Sequence, residues 1–116
     1  MIVAAVSGCG SSTERPSIRI LSSSVVGSAV IVKVRITGWK MAAPLRGVPP
    51  KPDTGQWQIF ADNTYFGFSY DRSYGTINGL SGGMHRIYVA LARTDYSLVY
   101  PLIRSRPVEV HIADGE

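Results

Sequence analysis

The chain has 116 residues, which suits one domain, and its 45% hydrophobic content excludes global disorder. The formal charge of +4 comes from 12 basic and 8 acidic side chains; the basic ones are scattered between Arg15 and Arg106, which excludes a nucleic-acid-binding arm. One cysteine, Cys9, excludes an internal disulfide and a cysteine-based zinc site within one chain.

The first element in chain order is an address. Met1 to Val6 is wholly apolar, and the small residues Ser7 and Gly8 precede Cys9. An apolar segment followed by small residues reads as the end of a secretory signal peptide. Val6-Ser7-Gly8-Cys9 resembles the bacterial lipobox, an aliphatic residue and two small residues before a cysteine. That resemblance implies a diacylglycerol on the Cys9 thiol, cleavage that leaves Cys9 first, and an extracytoplasmic protein anchored to the bacterial membrane. Gly10-Ser11-Ser12-Thr13 then reads as a flexible tether. No Lys or Arg precedes Cys9, and the apolar segment is shorter than the roughly 7–15 residues of a complete leader, so the leader is expected to start upstream of Met1. The expected organisation is a partial leader over 1–8, a lipidated tether over 9–16 and one folded domain over 17–113.

Residues 17–21 alternate, with Ile18 and Ile20 on one face; Ser22-Ser23-Ser24 and Gly27-Ser28 mark a turn. Residues 29–37 give the clearest strand: Val30, Val32, Val34 and Ile36 share one face, and Lys33, Arg35 and Thr37 the other. Residues 40–55 hold Pro44, Pro49, Pro50 and Pro52, which remove ladder donors and predict a long loop. Residues 57–61 and 64–69 read as a hairpin across Asp62-Asn63, with Trp57 in the core. Period-2 alternation places Phe66, Phe68 and Tyr70 on one face and Tyr65 on the other. Short strands follow around Tyr74–Ile77, over 84–92 with Ile87, Val89 and Leu91 inward, and over 107–112 with Val108, Val110 and Ile112 inward. About seven short alternating strands, with no helical periodicity, predict an all-β fold: an immunoglobulin-like or fibronectin-III-like two-sheet sandwich.

Three segments carry a further resemblance: Gly55-Gln56-Trp57-Gln58-Ile59-Phe60-Ala61-Asp62-Asn63, Thr76-Ile77-Asn78-Gly79-Leu80-Ser81-Gly82-Gly83, and Met84-His85-Arg86-Ile87-Tyr88-Val89-Ala90-Leu91-Ala92. Their order resembles a group of small bacterial secreted or lipoprotein domains of unknown function with an immunoglobulin-like sandwich. In many relatives histidines flank the Trp and an Asp-His follows Leu-Ala, implying a metal site. Gln56, Gln58 and Asp95-Tyr96 stand at those places here, so no metal site is carried over.

No nucleophile–base constellation is evident, with His85 and His111 the only histidines, so no enzyme and no cofactor are expected. Asp53, Asp62, Asp71, Asp95 and Asp114 fall in predicted turns, where carboxylates cap backbone N–H groups. The expected role is a non-catalytic binding module of the cell envelope, acting through the loops over 40–55 and 94–104 on an envelope protein or a polysaccharide. Candidate contacts are Asp95, Tyr96, Tyr100 and Arg104, with Tyr65 and Trp39 as an exposed aromatic pair. The alternative is copper handling through His85 with Met84 or Met41.

Overall fold

The computed structural model describes residues 15–45 and 47–113. Cys9, its leader and most of its tether lie outside these residues, as does Asp114. The described chain is all β and forms two packed sheets.

The first sheet holds β1 (Ser17–Val26), β2 (Ala29–Thr37) and β6 (Tyr74–Ile77), in the order β1-β2-β6. The second runs β3 (Lys40–Met41), β4 (Thr54–Ala61), β7 (Gly83–Arg93) and β8 (Val108–Ile112), with β5 (Thr64–Ser69) also paired to β4. All pairings are antiparallel except the two-residue β3 beside β4. Apart from the short β3, three strands face four, with β2 beside β6 and β4 beside β7, which is the immunoglobulin-like division.

The alternation read in β2 is what the sandwich buries. Val30, Val32, Val34 and Ile36 face Trp57, Ile59, Ile87, Val89 and Leu91 of the second sheet across one continuous core. Each such side chain, fully buried, contributes about 1.5–3 kcal/mol. Two expectations about strand ends change. The three serines at 22–24 do not turn; they extend β1 past a bulge that skips Leu21, so that Ile20 pairs with Val34 and Ser22 with Lys33. The turn is confined to Gly27-Ser28, where Gly27 takes φ +62°. Lys40 and Met41, expected in a loop, form a short strand because Lys40 N–H donates to Asp53 O and Ala42 N–H to Gly55 O.

Position 57 links several elements. Trp57 is fully buried, and its Nε1 donates to Asp71 O at 2.8 Å. Asp71 in turn accepts from the N–H groups of Ser73 and Tyr74 through Oδ1, which holds its carboxyl below the usual range. The next residue, Arg72, donates to Trp39 O and Ile36 O, so the β5–β6 connection clamps the end of β2.

Candidate functional site

Strand β4 is buried on both faces. Trp57, Ile59 and Ala61 point into the sandwich, whereas Gln56 and Gln58 point away from it and are buried too. Ala90 and Ala92 on the same outer face of β7 are equally hidden. The chain after β7 provides the cover. It returns along β7 through the bridges Ala92↔Leu98 and Ala90↔Arg104, and it reaches over Gln58, whose Nε2 donates to Tyr96 O at 2.9 Å. Asp95 starts this return by accepting from the Oγ and the N–H of Ser97, which lowers its pKa.

Around this cover lies a shelf of rings. Phe60 stacks on its cross-strand neighbour Tyr88, with centroids 4.9 Å apart and planes 9° from parallel. Tyr65 meets Phe60 edge-on at 6.0 Å, and Phe68 meets Tyr96 edge-on at 5.5 Å. Gln58, Phe60, Tyr65, Tyr96 and Leu98 enclose an open groove of about 640 Å³. Burial, and then the neighbouring Tyr96, push the Tyr65 phenol pKa up, so it remains a neutral hydroxyl at neutral pH.

The shelf exists because of a β-bulge. Ile59 pairs with Gly67 and Phe60 with Tyr65, which leaves Phe66 as the extra residue. The bulge puts Tyr65 and Phe68 on the same outer face, although strict alternation separates them. It also corrects the expectation that Tyr65 lies on the face opposite Phe66, Phe68 and Tyr70: Tyr65 and Phe68 share the outer face, and Gly67 and Ser69 take the inward positions opposite Ile59 and Trp57.

Of the sequence-predicted residues, Tyr65 and Tyr96 come together in the groove. Asp95 sits beside it with Tyr96, Leu45 and Gly47 around a second depression. Trp39 corrects its expectation: it is 5% exposed, packed into the core, and forms no exposed pair with Tyr65. It lines a separate groove of about 350 Å³ with Lys51, Asp53, Arg93 and Tyr100, where the two predicted loops meet. Arg104 lies at the far end of the shelf, its guanidinium 4.1 Å above the Tyr88 ring. The sequence reading missed Gln58, Phe60, Tyr88 and Leu98. One signal was present: β4 and β7 carry Phe60, Tyr88, Ala90 and Ala92 at positions that should be wet, and such unbroken apolar runs mark strands covered on both sides.

The copper ligand set is not assembled. Both ring nitrogens of His85 are engaged, Nδ1 with Asp62 Oδ2 at 2.6 Å and Nε2 with Ser81 O at 2.7 Å. Met84, the residue before His85, points to the opposite face of β7. Met41 is beside Gly55, which pairs with Arg93, eight residues along β7 from His85 and hence about 26 Å away. Among the described residues no three His, Cys, Asp or Glu side chains cluster as metal ligands.

No family model, curated protein or solved structure matches the chain.

Proposed function

We propose that the chain is a non-catalytic binding module of the bacterial cell envelope, held to the membrane by a lipid on Cys9, and that it binds a polysaccharide on the outer aromatic shelf. The observation that carries this reading is the ring-lined groove between Tyr65 and Tyr96. Sugar rings present flat C–H faces that settle on aromatic faces, and hydroxyl edges that need hydrogen-bond partners. The groove offers both, through Phe60, Tyr65 and Tyr96 on one hand and the Gln58 amide and tyrosine hydroxyls on the other. Its open, shallow form suits a polymer chain lying across it. The apolar start and the Val6-Ser7-Gly8-Cys9 motif support the address.

The test is retention of the full chain, with Cys9→Ser to keep it soluble, on insoluble envelope polysaccharide. Tyr65→Ala and Tyr96→Ala are each expected to weaken retention about tenfold, equivalent to about 1.4 kcal/mol. Retention that neither substitution changes would remove the groove from the function. Globomycin-sensitive processing and radiolabelled palmitate on wild type but not on Cys9→Ser test the anchor.

A further inference from the structure

The shelf does not end at Tyr88. Beyond it lies a smaller depression of about 160 Å³, lined by Asp62, Asn63, Arg86, Tyr88, Arg104 and Pro107. At ~30 Å³ per water it holds about five waters, which is room for one charged substituent of a sugar. Two guanidinium groups border it. Arg104 is fixed over the Tyr88 ring. Arg86 projects from the same face of β7, two residues before Tyr88.

Among the described residues neither arginine pairs with a carboxylate. The sole ion pair among the described residues joins His85 and Asp62. Asp62, although it borders the depression, spends Oδ2 on His85 and Oδ1 on the N–H of Arg86. Glu109 lies opposite Arg86 on β8 but makes no ion pair with it. Two unpaired guanidiniums beside a pocket of this size are suited to one carboxylate or phosphate, which accepts from their planar forks. The rings then fix the distance to the main groove: Arg104 covers Tyr88, Tyr88 stacks on Phe60, and Phe60 meets Tyr65 at the groove wall.

We infer that Arg86 and Arg104 form an anion subsite continuous with the aromatic groove, so that the ligand is an acidic polysaccharide whose sugars lie on the rings while a carboxylate or phosphate enters the depression. This rests on the groove reading above. The positive ends of the two arginines supply the selection, and the rings supply contact that acidic and neutral sugars share.

The experiment titrates the full chain carrying Cys9→Ser with polygalacturonate, with its methyl ester, and with a phosphomannan, at low and at high salt. An acidic polymer is expected to bind about tenfold more tightly than the ester at low salt, the equivalent of one charge-assisted hydrogen bond. High salt should close that gap. The stronger of the two acidic polymers identifies carboxylate or phosphate as the group received. Arg86→Gln with Arg104→Gln should erase the margin over the ester, and Glu109→Gln should widen it. Tyr65→Ala should weaken every polymer alike. Equal binding of acid and ester, or a margin that survives the double arginine substitution, overturns the anion subsite and leaves the groove standing. Failure of all three polymers to bind overturns both.

Discussion

His85 and Asp62 form a closed pair at the edge of the core, with His85 Nδ1 donating to Asp62 Oδ2 at 2.6 Å and Nε2 donating to Ser81 O at 2.7 Å. Both acceptors lack hydrogens, so only the protonated ring satisfies both contacts at once. The hydrogen bond to Asp62, and then that to Ser81, raise the His85 pKa above its ordinary 6.5. The N–H of Arg86, and then His85, lower Asp62 below its ordinary 3.8. The histidine therefore adds stability that is complete below pH 6.5 and is lost as pH rises through the raised value. The aspartate adds stability that is complete above pH 3.8 and is lost as pH falls through the lowered one. Because Asp62 is half exposed, each effect should stay at or below about 1 kcal/mol. Urea midpoints between pH 5 and 9 should fall with pH for the wild type and stay level for His85→Gln. Parallel slopes for the two would refute the assignment.

Phe66 is the residue that the β4–β5 ladder does not need. Deleting it leaves Thr64, Tyr65, Gly67 and Phe68 alternating in regular register, with Tyr65 still facing outward beside Phe60. The deletion is expected to cost less than about 1 kcal/mol, since it removes a half-exposed ring and restores ladder pairing. A thermal melt and the groove-binding assay check it together. Loss of binding with stability intact would mean that the bulge itself aims Tyr65.

That bulge also shows how far the sequence could be read. The one-sided strands were legible, because Val30, Val32, Val34 and Ile36 alternate with charged residues and the period reveals the buried face. Trp57 and the Asp62-Asn63 turn were legible for similar local reasons; both turn residues take positive φ, as a tight hairpin requires. The site was only half legible. Tyr65 and Tyr96 could be named as exposed aromatics, but one inserted residue reversed the parity of β5, and no local pattern announces an insertion. Trp39 misled because a tryptophan after Gly38 at a strand end looks like loop, while the Arg72 bonds to Trp39 O and Ile36 O fold that corner onto the core. A contact 33 residues apart leaves no trace in periodicity.

Arg72 therefore acts as a clamp, donating Nη1 to Trp39 O at 3.0 Å and Nη2 to Ile36 O at 3.3 Å. Its head is partly wet, so the loss should lie near the lower end for charged hydrogen bonds, about 1–2 kcal/mol. Arg72→Met, which keeps an apolar stem, is expected to lower stability by that amount and to expose Trp39. Chemical denaturation gives the first quantity, and acrylamide quenching of tryptophan fluorescence gives the second. A full loss of stability without added quenching would place the effect in the β5–β6 loop and not at Trp39.

Gly75 is the space that Trp57 occupies. A Cβ at position 75 would lie 2.6 Å from Trp57 Cη2, 3.0 Å from Ile59 Cδ1 and 3.1 Å from Ser69 Cβ, all in the packed interior. Gly75→Ala is thus expected to cost about 1–3 kcal/mol through overpacking. Gly67→Ala, whose Cβ would meet only Ile77 Cγ2 at 3.8 Å, should stay within about 0.5 kcal/mol. The cause can be separated from a general intolerance of alanine in β6 by shrinking the ring. Trp57→Phe alone opens a cavity and leaves Asp71 O without its indole donor. Combined with Gly75→Ala, the added methyl enters the vacated space. The pair should therefore cost less than the sum of its parts, by 0.5 kcal/mol or more in a double-mutant cycle. Strict additivity would show that position 75 is limited by its backbone and not by the indole it faces.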